Sequence, residues 1–451
     1  MLLRTFGCQM NEYDSELVKS ILFNAGYRFA DNEEKADIIL LNTCSVRDSA
    51  TRKVFGQIYE FRHELGRRPI IGILGCMATD AKQSLFKNKK LGIDLICGPD
   101  SYRRLPEIIQ QAQNEIKIAD IELSKNENYD GISPIRGSFS GNPSALPQDD
   151  FSHPRKVNAW VAITRGCNNF CTFCIVPYAR GRERSRSVAS ILQEIKKLVR
   201  DGYPQVTLLG QNVNSYKDGK TDFPLLLDKI SQIKGLKRIR FMSPHPKDLS
   251  LRLIDLIAER PNICKHVHLP LQSGSSRILK LMNRCYTKND YLALVDRLRA
   301  KCPQVALTTD VIVGFPTEKE KDFKDTLSVI KKVRFDSAFI FKYSPRNGTV
   351  AARKFTDDVR PEEKTKRIVF LNELQRQIAL EENQKLIGSI QEVLIEERYE
   401  NGWRGRCDNN KIVSIPDGKY HVGEFIKVEI THASVNGLSG ISLASAKPSS
   451  D

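Results

Sequence analysis

The sequence predicts an α/β protein in three parts: an amino-terminal parallel-sheet α/β domain, a central barrel or partial barrel of six β/α units, and a small all-β barrel at the carboxyl end. Three observations carry that prediction. Short apolar runs alternate with amphipathic helical stretches over residues 1–117, and again over 157–383. Between them, 118–156 is rich in Pro, Gly, Ser and Asn, holds no sustained period and reads as a partly ordered linker. From about residue 384 to 447 the runs turn short and β-type, separated by Gly, Asn and Asp.

In the first part LLRTFG, ADIILLN, PIIGILG and IDLICG read as four buried strands. SELVKSILFNAG between the first two reads as a helix, with Gly26 at its carboxyl cap. Strands alternating with helices imply parallel pairing and right-handed crossovers. In the second part VNAWVAIT, QVTLLGQ, LKRIRFMS, HVHLPLQ, QVALTTDVIVGF and DSAFIFKYS read as six strands, with helices such as VASILQEIKKLVRDG and DFPLLLDKISQIKG between them. Active sites in such folds lie at the carboxyl ends of the strands. A helix running to about Lys385 precedes GSIQEVLIEE, WRGRCDNNKIVSI, EFIKVEITHA and GISLAS, enough for a small barrel of the size that binds nucleic acid.

The chain has 451 residues, 40% of them hydrophobic, which excludes wholesale disorder. No apolar run approaches the roughly 18 residues of a membrane helix, and no secretory signal is visible in MLLRTFGCQM. The cytoplasm is therefore expected, where thiols stay reduced. Met1 stands at the start of the first strand, which leaves room for native residues ahead of it. Seventy Lys and Arg against 54 Asp and Glu give +16, either a basic surface or a polyanion partner such as nucleic acid. Eleven cysteines, an odd count, do not suit a closed disulfide framework.

Cys167, Cys171 and Cys174 follow the first central strand as C-x3-C-x2-C. Three thiolates on a tight loop can each ligate a different iron of a [4Fe–4S] cube and leave the fourth open. An open iron can chelate the amino and carboxylate groups of S-adenosylmethionine, whose reductive cleavage gives a 5′-deoxyadenosyl radical. A zinc knuckle would want a fourth ligand, and the nearest, His153, precedes the motif on the linker. Three buried structural cysteines are the third reading, which the polar Asn and Thr between them disfavour.

A second set shares a local context. Cys8, Cys44 and Cys76 each stand just past the carboxyl end of a predicted parallel strand, where neighbouring strands bring their ends together. They can hold a second cluster with an open iron; core thiols would sit inside the apolar runs rather than after them. Cys97 also ends such a run. Cys264, Cys285, Cys302 and Cys407 show no ligand-like grouping and read as structural or incidental.

The cluster motif after the first strand of a six-unit β/α domain resembles the radical S-adenosylmethionine superfamily, and RGCNNFCTFCIVPYARGRERSR resembles its methylthiotransferases. The resemblance spans essentially the whole chain, and the terminal barrel resembles the TRAM RNA-binding module. It implies a central (β/α)6 partial barrel, two 4Fe–4S clusters and S-adenosylmethionine. It places an auxiliary cluster on TFGCQMN, LNTCSVR and GCMA rather than on DLICGP, so Cys97 is expected to be structural. The family's adenine-binding strand matches DVIVGFPTE, giving Val313 and Gly314. Gly210, Gln211 and Asn212 stand where a methionine-binding segment is expected. Ser243, Gln272 and Ser273 face the same mouth. Phe173 either packs on the cofactor or closes the loop, and His245, His266 and His268 satisfy barrel-end hydrogen bonds. Arg180, Arg182, Arg184 and Arg186 beside the cluster loop, with Trp403, Arg404 and Arg406 in the terminal barrel, are the expected RNA contacts.

Three family activities compete: tRNA adenosines bearing dimethylallyl, those bearing threonylcarbamoyl, and an aspartate of a ribosomal protein. LLGQNVNSY with CNNFCTFCIVPYARG most resembles the first. It implies methylthiolation at carbon 2 of N6-dimethylallyladenosine at tRNA position 37, with the anticodon stem-loop as partner. Sulfur would come through the auxiliary cluster, the methyl group from a second S-adenosylmethionine, and the electron from flavodoxin or ferredoxin. A monomer is expected; the sulfur donor is not named by the sequence. An iron–sulfur module for RNA binding or electron transfer is the non-enzymatic alternative.

Overall fold

The computed structural model describes residues 1–45, 48–81, 84–88, 90–136 and 157–443. The amino-terminal sheet has five parallel strands in sequential order: Leu2–Phe6, Ile38–Thr43, Ile70–Gly75, Leu95–Cys97 and Ile118–Asp120. Its central strands are continuous apolar runs because both faces are buried. Ile38, Leu40 and Leu74 enter one core, with Tyr13, Leu17 and Leu22 of the helix Gln9–Asn24. Ile39, Leu41, Ile71 and Ile73 enter the other, with Val54, Ile58 and Phe61. The fifth strand falls in the stretch expected as linker. It is only three residues long and half-buried, so it carries no readable apolar period. Residues 121–136 also pack: Tyr129 is buried and its hydroxyl donates to the Pro99 carbonyl at 2.9 Å. The rest of the expected linker, 137–156 with His153, lies outside the described residues.

The central domain has the six strands expected, as two three-stranded parallel sheets. One holds Asn158–Ala162, Gln205–Leu209 and Arg238–Phe241; the other holds His266–His268, Ala306–Val313 and Ser337–Lys342. A parallel bridge from Ile239 to Ile263 joins them, and among the described residues the sixth strand pairs only with the fifth, so the barrel is partial. Helix starts follow their caps: Asp222 accepts from the Leu225 N–H at 2.9 Å, and Thr287 with Asp290 forms a capping box. Along Ala306–Val313 Leu307, Val311 and Val313 pack into the outer core, whereas Thr308, Asp310 and Ile312 are half-buried on the lumen face. Registered beside them, Phe339 and Phe341 stand 56% and 47% exposed on that face.

The last five strands close a barrel, as expected. It docks at the amino ends of the central strands through two buried guanidiniums. Arg238 donates to the carbonyls of Arg406 and Glu392, both at 2.7 Å, and Arg240 to that of Cys407 at 2.8 Å. Lys411 pairs with Asp336 at 2.5 Å across the same boundary.

Candidate functional site

The loop carrying Cys167, Cys171 and Cys174 is held from two sides. Gly166 has φ +75°, and a Cβ there would stand 2.1 Å from the Arg182 carbonyl oxygen, so the turn into the loop takes only glycine. Thr172 donates its N–H to the Met282 carbonyl at 3.0 Å and its hydroxyl to that of Leu281 at 2.9 Å. Asn283 Nδ2 caps the carbonyls of Asn169 and Phe170, both at 3.1 Å. Arg284 is buried and directs Nη1 to the Cys171 Sγ at 3.5 Å, while its Nε donates to the Tyr286 hydroxyl at 3.0 Å. Burial pushes the Cys167 thiol up and the Cys174 thiol up to about 12, so these sulfurs ask for a cation to become thiolates.

Cys8, Cys44 and Cys76 stand past the carboxyl ends of three adjacent strands. Cys8 stands at the start of the helix Gln9–Asn24, its carbonyl accepting from the Asn11 N–H at 2.8 Å, Cys44 donates its N–H to the Phe6 carbonyl at 3.0 Å, and Cys76 opens the helix Cys76–Ala81. A hydrogen bond with Cys44 and the positive Arg180 hold the Cys8 thiol at about 6 against the effect of burial. Burial instead raises Cys76. Cys97 lies inside an apolar core, its thiol raised well above the ordinary range by burial.

The two triads are neighbours. The helix Val176–Arg180 starts two residues after Cys174, and its last residue reaches the amino-terminal domain: Arg180 Nε donates to the Cys76 Sγ at 2.9 Å. All six cysteines are free of disulfides. Among the described residues no three His, Cys, Asp or Glu side chains close on a single-ion centre. A cube takes one thiolate per iron and spreads its ligands wider than one ion does. The donor sets fit two cubes, three thiols each.

Three of the four arginines beside the cluster loop depart from the expected RNA role. Arg180, Arg184 and Arg186 are buried, and each meets a carboxylate that the local sequence does not reveal. Arg180 pairs with Asp14 at 2.8 Å, Arg184 with Asp100 at 2.7 and 3.0 Å, and Arg186 with Glu194 at 2.6 Å. Arg180 and Arg184 tie the central domain to the amino-terminal one through these carboxylates, and Arg186 does so by donating to the Tyr13 hydroxyl at 2.8 Å. Arg182 alone is exposed, its guanidinium 4.2 Å above the Phe170 ring.

The strand-end residues ring the mouth above the cluster loop. Gln211 Oε1 accepts from the Gly166 N–H at 2.6 Å, and Asn212 bridges Asp248 at 2.8 Å and the His245 N–H at 3.2 Å. Gly210 lies against Thr164, where a Cβ would meet Oγ1 at 2.2 Å. Ser243 and Gln272 hold φ of +59° and +66°, an unusual pair of left-handed non-glycine residues at one rim. Ser273 is fully buried and accepts from the Ser275 N–H at 3.2 Å. Val313 is buried, and Gly314 (φ +68°) donates to Glu318 at 2.5 Å, which pairs with Arg367 at 2.7 Å. Phe173 packs with Ile278, Met282, Phe315, Tyr343 and Ala351, closing the loop from below. His266 and His268 bond Thr308 and Asp310 at 3.0–3.1 Å, and burial holds the His266 ring well below its usual range.

A cavity of about 1380 Å³ runs from Gln9, next to Cys8, past Trp160, Met242, His268 and Phe339 to the terminal barrel. Trp403 and Arg406 line its far end. Trp403 is half-buried, its ring edge-on to Tyr420 at 6.3 Å, and Nε1 donates to the Gly418 carbonyl at 3.1 Å. Arg404 stacks 3.4 Å over the Tyr399 ring, and Arg406 pairs with Glu396 at 3.1 Å. Arg284, Asn283 and Asp14 escape sequence reasoning because their partners are more than a hundred residues away; a lone LMNR or EYDS has no period or spacing to mark it.

Comparison with known proteins agrees with this architecture. Residues 161–330 match the radical SAM superfamily model, 1–98 the "Uncharacterized protein family UPF0004", and 384–442 the TRAM domain. The chain is 45% identical over 448 residues to the tRNA-2-methylthio-N(6)-dimethylallyladenosine synthase of Chloroherpeton thalassium, covering 98% of this chain and 95% of that one. It is 43% identical over 451 residues to the enzyme of that name from Bacteroides thetaiotaomicron, with the same coverage. Among solved structures, the radical S-adenosylmethionine methyltransferase TsrM from Kitasatospora setae, with cobalamin and a [4Fe–4S] cluster bound, superposes with a TM-score of 0.56. That match covers 87% of this chain and 80% of the other at 13% identity, a likeness of fold alone.

Proposed function

This chain belongs to the radical S-adenosylmethionine methylthiotransferase family, and we propose that it converts N6-dimethylallyladenosine at tRNA position 37 to its 2-methylthio derivative. The observation that carries this reading is the meeting of two three-thiol sites across the helix Val176–Arg180. Two open-iron clusters side by side suit a reaction that must break an unactivated C–H bond and deliver sulfur to the same carbon.

Cys167, Cys171 and Cys174 would hold the cluster that binds S-adenosylmethionine, and Cys8, Cys44 and Cys76 the auxiliary one. Bound there, the two clusters and S-adenosylmethionine supply the hydrogen-abstracting radical, the sulfur and the methyl group. The chain's own residues position and enclose. Val313 and Gly314 offer backbone to the adenine of the cofactor, with Gly210, Gln211, Asn212, Ser243, Gln272 and Ser273 around its methionine end. Phe173 keeps the loop closed over its apolar floor. The cavity from Gln9 to Trp403 would admit an unstacked base, and Trp160, Met242 and Phe339 give it apolar walls for the dimethylallyl group.

Trp403, Arg404 and Arg406 of the terminal barrel, with the exposed Arg182, are the residues we assign to the tRNA anticodon stem-loop. No helix among the described residues is long and apolar enough to cross a membrane. The reading has the chain act as a cytoplasmic monomer on tRNA, with flavodoxin or ferredoxin as reductant. Nucleoside analysis of total tRNA from a strain lacking the gene tests it. Methylthio-dimethylallyladenosine should vanish and its precursor accumulate; its persistence together with loss of the methylthio-threonylcarbamoyl nucleoside would overturn the assignment.

A further inference from the structure

Arg180 sits in a place that its sequence context, a run of arginines beside a loop, does not explain. Its side chain is 4% exposed, and each nitrogen has a distinct situation. Nε donates to the Cys76 Sγ at 2.9 Å, Nη2 pairs with Asp14 Oδ2 at 2.8 Å, and Nη1 has no partner among the described residues. Asp14 is itself fixed by Arg165 through Oδ1 at 2.6 Å, so the guanidinium plane has little freedom. The other triad is built alike: the buried Arg284 directs Nη1 to the Cys171 Sγ at 3.5 Å.

We infer that Arg180 is a positioning residue of the auxiliary site, donating an N–H···S bond to the Cys76 thiolate and thereby setting the reduction potential of the cluster held there. The inference rests on the reading of Cys8, Cys44 and Cys76 as cluster ligands. A hydrogen bond to a ligating sulfur withdraws charge from it, which favours the reduced cluster and raises its potential. Arginine supplies that bond with a charge that cannot titrate away. Because Arg180 ends the helix that starts next to Cys174, the group that tunes one cluster is carried on the segment that holds the other.

The test uses the full chain with Cys167, Cys171 and Cys174 replaced by Ala, so that only the auxiliary cluster is read. Anaerobically reconstituted parent, R180K and R180Q are assayed for iron and sulfide and titrated by electron paramagnetic resonance. R180K keeps the charge for Asp14 and loses the Nε–H fork, so it should retain about four irons per chain at a potential more negative than the parent's. R180Q should shift the same way and bind iron about 10–100-fold more weakly. With the native cysteines, R284K should move the radical-site potential and leave the auxiliary one in place. A parental potential in R180K with its iron retained overturns the proposal. So does loss of iron and near-ultraviolet dichroism together in R180K, which would make the arginine a strut between domains. A parent that takes up no auxiliary iron contradicts the reading of the triad itself, a result plainly different from either.

Discussion

Asp14 and Arg165 form an ion pair of 2.6 Å that is closed to solvent on both sides of a domain boundary, with side chains 0% and 1% exposed. A carboxylate there is tolerable only because two guanidiniums, Arg165 and Arg180, share it. Removing the acid leaves two buried cations uncompensated. Asp14→Ala should therefore lose about 3–5 kcal/mol of unfolding free energy, read from urea titration of the apoprotein. A loss below about 1 kcal/mol, the size expected of a surface pair, would show that the boundary is not held there.

The two triads should be separable. Replacing Cys8, Cys44 and Cys76 by Ala should lower iron and sulfide from about eight to about four per chain and leave reductive formation of 5′-deoxyadenosine intact. Replacing Cys167, Cys171 and Cys174 should also leave about four irons but abolish 5′-deoxyadenosine. Chemical iron and sulfide analysis with chromatographic detection of the nucleoside checks both, and loss of all iron in either variant would refute the division.

Glycines at positive φ should differ sharply in their tolerance of alanine. At Gly26 (φ +88°) nothing lies within 4 Å of the added Cβ, so Gly26→Ala meets only backbone strain, about 1 kcal/mol. At Gly166 the Cβ collides with the Arg182 carbonyl at 2.1 Å, and the turn that aims Cys167 must open. Gly166→Ala should fail to assemble the radical-site cluster, measured by its absorption on anaerobic reconstitution.

Stability should decline on mild acidification through buried neutral histidines. Burial first, then the cations Arg284 and Lys247, hold the His245 ring at about 2, and its Nδ1 accepts from the Lys247 N–H at 3.2 Å. The unfolded chain binds this proton near pH 6.5 and the folded chain does not, so protons favour unfolding below that pH. Each such ring should cost about 1.4 kcal/mol per pH unit; the His266 ring, also held low by burial, adds to the slope. In apoprotein between about pH 6 and 5, His245→Gln should flatten the dependence by one ring's worth.

The terminal barrel should contribute binding without chemistry. Trp403→Ala removes an aromatic face at the far end of the cavity and should weaken tRNA binding by about 1–3 kcal/mol. Formation of 5′-deoxyadenosine without tRNA should be unchanged. Arg184→Ala, in contrast, should reduce stability and leave the salt dependence of tRNA binding as it was, because its guanidinium is spent on Asp100.

The sequence by itself determined what local pattern controls. Continuous apolar runs marked the parallel strands of both α/β domains, and C-x3-C-x2-C marked the three cysteines we assign to the radical site, because those signals lie within a few residues of one another. The strand-end positions of Cys8, Cys44 and Cys76 were legible for the same reason. Ile118–Asp120 was not, because three half-buried residues carry no period. Tertiary structure alone decided what the arginines do. A guanidinium reads alike in a sequence whether it meets phosphate or a buried carboxylate, and Asp14 and Asp100 approach Arg180 and Arg184 from 166 and 84 residues away. Only the packing of one domain on the other turned a supposed RNA-binding run into the clasp that sets the two thiol sites side by side.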